Sequence, residues 1–349
     1  MEVRARRSAG ARGFLHLLMA IVLAVAMFAF GFGVYFAAGY LKVGHPFVER
    51  PDQTTAPALP GTMYVVQGGV IYRFHTGSFT ALTSGNGWMQ PAATTDGSRL
   101  VAVKRFTNWS DLYLLSNGGK APVRLTDNSS KQVEGNHWIF YPRFSPDGSS
   151  LFYDFDPKDP YNSYRVDLAI LASPARDLGR WQQWTYPNQY TGGDVMPVPL
   201  RDGGLIYTRF SIDDQSVLHS QIWFQARAGS HGVALTDAAL DCLQPTVSPD
   251  ASMLAMVCRK GQTQAAEIDV SRFDEGAASL SPLTPLVLGQ LVASPAFSPD
   301  GKTVAYLAPA RTQGAFQLWT VQATGTPSPK QITTDLGLDA QSAPVWLSR

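Results

Sequence analysis

One phrase recurs along the chain at a nearly constant interval, and it limits the fold more than any other feature. It is clearest in "PRFSPDGSSLFY", from Pro142 to Tyr153, and in "PAFSPDGKTVAY", from Pro295 to Tyr306. Ser-Pro-Asp-Gly is a turn prescription. Proline presets φ for the second position of a type I turn, aspartate suits the third, and glycine follows where left-handed geometry is often needed. Short apolar, β-branched or aromatic runs flank the phrase, which is the pattern of a tight β-hairpin. Asp147 and Asp300 therefore read as turn formers rather than catalytic carboxylates.

Weaker copies keep the same spacing, a proline followed five residues later by aspartate. They are Pro91/Asp96, Pro142/Asp147, Pro197/Asp202, Pro245/Asp250 and Pro295/Asp300, with a sixth proline, Pro344, five residues before the C-terminal Arg349. Successive prolines are 51, 55, 48, 50 and 49 residues apart. A second marker holds the same phase: an apolar residue and threonine at Leu82-Thr83, Leu125-Thr126, Trp184-Thr185, Leu235-Thr236, Leu283-Thr284 and Ile332-Thr333. A period near 50 with about four short strands per unit is the signature of a β-propeller. The first unit supplies only three strands, in "MYVVQ", "GVIYRFH" and "SFTALT", while "APVWLSR" at the end is an orphan first strand. Together they complete one blade. The expected fold is all-β, a six-bladed propeller over 62–349 whose C-terminal strand closes the first blade and removes the exposed sheet edges.

"FSPDG" followed by an apolar strand, and preceded by "LT" and a loop, resembles the TolB-like propeller repeat, the WD40-like "SPDG" pattern. Two copies match fully; "TTDG", "LRDGG" and "VSPDA" are degenerate. The sequence shows neither the small α/β domain that precedes the propeller in TolB nor the hydrolase domain of prolyl-oligopeptidase-type enzymes. The resemblance thus implies the fold and not a TolB or peptidase role.

Ahead of the repeats, residues 14–41 contain no Asp, Glu, Lys or Arg. That run exceeds the ~20 residues needed to cross a bilayer. Arg4, Arg6, Arg7 and Arg12 precede it, so residues 1–13 are expected in the cytoplasm and the propeller outside. A cleaved signal peptide is the rival, with "AVA" (Ala24 to Ala26) as its cleavage motif. The apolar run continues 15 residues beyond that motif, longer than a usual signal core, which favours an uncleaved signal-anchor helix in the cell membrane. The absence of a nearby cysteine excludes a lipoprotein anchor. Residues 42–61, with four prolines, read as an extended tether.

A net charge of +1 gives no electrostatic footprint for nucleic acid. The two cysteines, Cys242 and Cys258, fall opposite one another if the fifth hairpin pairs about Ser248–Met253. They are either a cross-strand disulfide, which an oxidising compartment permits, or two packed thiols.

Catalytic signatures are missing: no HExxH, GxSxG, phosphate-binding loop or CxxC, and no metal spacing among the six histidines. No catalytic residue and no cofactor is assigned. The one acidic stretch, "DFDPKDPYNSYRVD", offers Asp154, Asp156 and Asp159 as calcium candidates, although the spacing fits no EF-hand and an ordinary solvated loop is the simpler reading.

Sorting loops by face is more informative. In a blade of strands a to d, the a–b and c–d turns share one face, and the b–c and d–a connections share the other. The Ser-Pro-Asp-Gly hairpins are short a–b turns. The opposite face receives the long connections, which carry Trp88, Trp109, His137, Trp138, Tyr161, Tyr186 and Tyr190. Aromatics beside Asn, Asp and Gln on long loops are what a binding surface needs. Trp138 is the ring most apt to tuck inward, and Trp181 and Trp184 read as blade core.

The expected function is therefore a membrane-anchored, extracytoplasmic, non-catalytic module that binds a protein, peptide or glycan of the bacterial cell envelope. Two rivals remain: a lyase or hydrolase of envelope material with its site at the channel mouth, and a sensor ectodomain signalling through a partner.

Overall fold

A computed structural model describes residues 56–348 apart from 116–120, 158–166, 188, 189, 261–264, 290, 312 and 313. The expected membrane segment at 14–41, most of the tether, Asp159 and Tyr161 lie outside the described residues. Among those described, no helix is long and apolar enough to cross a membrane.

The described strands form six antiparallel sheets, each a meander, except that in the fifth Glu267–Asp274 pairs with both Ser279–Leu280 and Thr284–Val287. The first blade is the composite one: Val345–Leu347 lies beside Thr62–Gln67, followed by Val70–His75 and Ser78–Ala81. Register places Thr62 opposite Leu347 and Tyr64 opposite Val345. Trp346 donates its Nε1–H to the Pro60 carbonyl at 2.8 Å. Residues at the end of the expected tether thus lie on the blade, and Ala56 and Leu59 pack into its apolar cluster. The innermost strands of the other five blades are Trp88–Ala93, Ile139–Phe144, Asp194–Pro199, Leu243–Val247 and Ala293–Phe297.

There is no single central core. Six apolar clusters each fill the wedge between two adjacent blades, as where Met89, Val101, Val103 and Leu112 meet Ile139, Leu151 and Tyr153. Every blade is buried on both faces, so each depends on its two neighbours.

The structure supplies the reason for both sequence markers. In five innermost strands, two residues oppose one on the next strand: Gln90 and Pro91, Tyr141 and Pro142, Met196 and Pro197, Gln244 and Pro245, Ser294 and Pro295. Such a bulge tolerates proline, which has no N–H for the ladder. The residue before each of these prolines has φ between +48° and +60°. That left-handed backbone costs about 1–2 kcal/mol per non-glycine residue. Four of the five bulge N–H groups find an acceptor on the preceding blade. Gln90 N–H reaches Ser342 Oγ (2.9 Å), Tyr141 N–H reaches Gln90 Oε1 (2.8 Å), Met196 N–H reaches Asp154 Oδ2 (3.1 Å) and Ser294 N–H reaches Gln244 Oε1 (2.6 Å). The threonine marker is equally concrete. Thr83, Thr126, Thr185, Thr236 and Thr333 each turn a hydroxyl to accept a third-strand N–H, from Ile71, Leu112, Ile170, Ile222 and Leu318, at 2.9–3.0 Å. The hydroxyl takes over where the fourth strand, often two residues long, ends.

In the hairpins themselves, Ser145 donates to Asp147 Oδ1 and accepts from the Ser150 N–H; Ser248/Asp250 and Ser298/Asp300 repeat the arrangement. Those bonds hold the exposed Asp147 carboxyl down at about 2, with the Ser145 hydroxyl the largest cause. Asp147 and Asp300 are turn formers. Where the third copy reads "SPDA", Ala251 sits at φ +60°, a position held by Gly148 and Gly301 at +72° in the two full copies. Ala251→Gly is expected to raise stability by about 0.5–1 kcal/mol, the left-handed strain outweighing glycine's extra chain entropy. A chemical-denaturation midpoint that falls instead would contradict this.

Cys242 and Cys258 are joined in a disulfide across the fifth blade, beside the Leu243–Val257 pair.

Candidate functional site

The six described aromatic candidates do not form one surface. Trp88 is a correction: it is not on a loop but opens an innermost strand, 5% exposed, between blades one and two. Gly85 and Gly87 turn the chain just before it with positive φ. A Cβ on Gly87 would stand 2.4 Å from the Arg105 carbonyl oxygen, so the backbones approach closely and the indole is drawn under. Its Nε1–H is satisfied by Ser84 O at 3.0 Å. Trp181 is corrected in the other direction. It is 63% exposed because it precedes a fourth strand only two residues long, Gln182–Gln183, whereas Trp184 is buried as expected. Tyr186 and Tyr190 are exposed near the fourth blade, with Tyr190 N–H bonded to Asp167.

Trp109, His137 and Trp138 do come together on the b–c and d–a face of blades two and three. Trp109 stacks on Phe106 with ring centres 4.8 Å apart. Ser110, the next residue, donates its N–H to the His137 carbonyl at 3.3 Å, tying the two connections. His137 stacks on Phe155, and Trp138 stacks on Phe140 beneath the Arg105 guanidinium, 5.7 Å from its ring centre. Beside this cluster is an open groove of about 490 Å³ walled by Asn86, Gly87, Lys104, Arg105, Phe106, Thr107 and Trp109. Lys104 lies 4.4 Å over the Trp88 ring, and burial lowers its pKa. Among the described residues neither Lys104 nor Arg105 has a carboxylate partner. The Trp109 Nε1–H is buried without an acceptor. The groove therefore offers two uncompensated cations, a stacked aromatic pair and an orphan donor.

Sequence reasoning found Trp109 but missed the cations. They stand in "AVKRFTNW", where two charges and a ring follow an apolar strand straight into a turn.

A second concavity opens on the other face, the one carrying the Ser-Pro-Asp-Gly hairpins. The C-terminal ends of all six innermost strands wall a central funnel of about 350 Å³. Face-sorting by loop length did not locate it, because this cavity is formed by strand ends rather than loops.

Among the described residues two histidines contact aspartates, and neither lines the funnel. His137 Nδ1 lies 3.1 Å from Asp156 Oδ1, and His219 is held between Asp241 (3.1 Å) and Asp213 (3.2 Å). The hydrogen bond to Asp213 is the largest cause of the raised His219 pKa. Among the described residues no serine or cysteine hydrogen-bonds either ring. Asp154 is buried, its Oδ2 used by the Met196 N–H, and Asp156 Oδ1 accepts from the Trp138 N–H. Among the described residues no group of three or more side chains could hold a metal ion.

No protein-family model matches the chain, and no curated protein matches it. Solved structures do. A TolB from Acinetobacter baumannii aligns at TM-score 0.62 and 18% identity, over 81% of this chain and 66% of that one, just under two thirds of its length. A TolB-assigned protein from Agrobacterium tumefaciens aligns at 0.57 and 16%, over 82% and 94%. The hydrazine synthase of Kuenenia stuttgartiensis aligns at 0.58 and 13%, over 85% and 48%. The fold is thus that of a TolB-like six-bladed propeller.

Proposed function

We propose that this chain is a single-pass membrane protein whose outer propeller is a non-catalytic binding module for a protein, peptide or glycan of the cell envelope. The fold does not choose between binding and catalysis, since a TolB and a hydrazine synthase share it. The observation that carries the reading is the groove at the b–c turn of blade two. Lys104 and Arg105, without carboxylate partners, stand beside the Phe106–Trp109 stack and together suit an anionic or aromatic partner. Neither concavity is lined by Asp, Glu or His, the groups that an envelope lyase or hydrolase would use as acid and base, so nothing in them favours that reading.

The test is crosslinking capture from intact membranes with the full chain and its Trp109→Ala and Lys104→Gln variants. A shared partner should be captured by the wild type and reduced at least about tenfold in each variant, with melting unchanged. Equal capture by both variants would sink the groove as the site. Carbonate extraction tests the anchor: release of the full chain into the soluble fraction would remove the membrane from the proposal.

A further inference from the structure

Arg143 is a half-buried arginine that borders the central channel. It lies on the innermost strand Ile139–Phe144, two residues beyond the bulge at Tyr141, and borders both the funnel and the narrow waist beneath it. The waist, among Tyr141, Met196, Gln244, Ser294 and Gln341, encloses only about 30 Å³, room for water and little else. A ligand entering the funnel would stop at the Arg143 guanidinium.

Two arginines of the ring are held by buried carboxylates. Arg124 pairs with Asp111 at 2.7 Å, and Arg209 with Asp194 at 2.6 Å. Arg143 has no ion pair and no hydrogen bond among the described residues. It sits deep among the ring's atoms while keeping some exposure along the channel, and burial lowers its pKa. The guanidinium nonetheless stays protonated at any physiological pH. A half-buried cation with no partner, facing an open cavity, is a ready seat for an anion.

The surroundings define what would arrive. The funnel wall contains no Asp, Glu or Lys; a second arginine, Arg201, stands nearer the rim with a 3.4 Å bond to the Pro249 carbonyl. The remaining wall is mixed, with Pro146, Val198, Val247 and Phe297 beside the hydroxyls of Thr246 and Ser298. The planar guanidinium fork pairs bidentately with a carboxylate or a phosphate; it satisfies both oxygens of a carboxylate but leaves a phosphate's third oxygen in need of a further donor. The repeat itself marks the position as special: the residue after each phase-setting proline is Ala92, Arg143, Val198, Thr246, Ala296 or Val345.

We infer that the hairpin-face funnel is a second binding site, independent of the groove, that accepts a carboxylate carried on an apolar body and seats it against Arg143. The carboxylate is either the C-terminus of a peptide ending in an apolar residue or a small free acid, and the test separates them.

Calorimetry with the full-length chain would use acetyl-Ala-Ala-Leu with a free C-terminus, the same peptide as its C-terminal amide, and hexanoate. The free acid should bind at least about tenfold more tightly than the amide. Arg143→Gln should erase that preference and Arg143→Lys retain part of it, while Arg201→Gln changes affinity less than about threefold. Hexanoate binding as tightly as the peptide assigns the site to free acids; peptide alone assigns it to chain termini. An amide that equals the acid, a preference that survives Arg143→Gln, or no saturable binding by any probe overturns the inference. The acid–amide comparison needs no variant, so it decides even if Arg143→Gln misfolds.

Discussion

Deleting Pro344–Arg349 is expected to cost on the order of 6 kcal/mol and to leave a chain that unfolds or associates. Val345, Trp346 and Leu347 are each less than a tenth exposed, filling wedges on both sides of blade one. Burying side chains of this size is worth about 1.5–3 kcal/mol apiece. That sum is comparable with the whole stability of a typical domain, about 5–15 kcal/mol. The deletion also strips the partner from Thr62, Met63 and Tyr64 on one edge of Thr62–Gln67, an edge that would pair with another molecule. Trp346→Ala alone should cost about 3 kcal/mol. Denaturation midpoints and size-exclusion profiles report both effects. A truncated chain that remains monomeric with an unchanged midpoint would mean that the ring is not closed by this strand.

Asp111→Ala comes next in size, at about 3 kcal/mol. The carboxylate is fully buried; its Oδ2 accepts from Arg124 Nε (3.1 Å) and Nη2 (2.7 Å), and its Oδ1 from Thr126 Oγ1 and the Asn128 N–H, both at 2.9 Å. Removing it strands four donors. Breaking a buried ion pair usually costs about 3–5 kcal/mol, and the partial exposure of Arg124, which lets that cation rehydrate, puts this case at the low end. The effect reaches the groove as well, because this carboxylate pins the start of the connection leading to His137 and Trp138. Asp111→Asn, which keeps the shape but not the charge, should cost roughly half as much. A loss below about 1 kcal/mol for Asp111→Ala would contradict the assigned network.

The six-blade ring and its closure were legible because turn chemistry is local: a proline, an aspartate and a glycine specify a hairpin wherever they stand. Exposure was legible only in part. Trp88 and Trp109 occupy similar polar stretches, yet one is buried beneath a neighbouring blade and the other borders a groove. What separates them is the close backbone approach at Gly87, a relation between two blades that no single stretch encodes. Arg143 was legible in principle, as the one charge at a repeat position otherwise small or apolar. It becomes visible only when the repeats are aligned on their prolines and the innermost strand is known to face the channel.

The composite blade also determines how the domain bears load. Pull reaching the propeller through residue 56 would act along Thr62–Gln67, a strand held on one flank by Val345–Leu347 and on the other by Val70–His75. Its hydrogen bonds would be strained together in shear rather than opened one after another like a zipper. The first blade is thus a mechanical clamp at the point where the chain enters the ring.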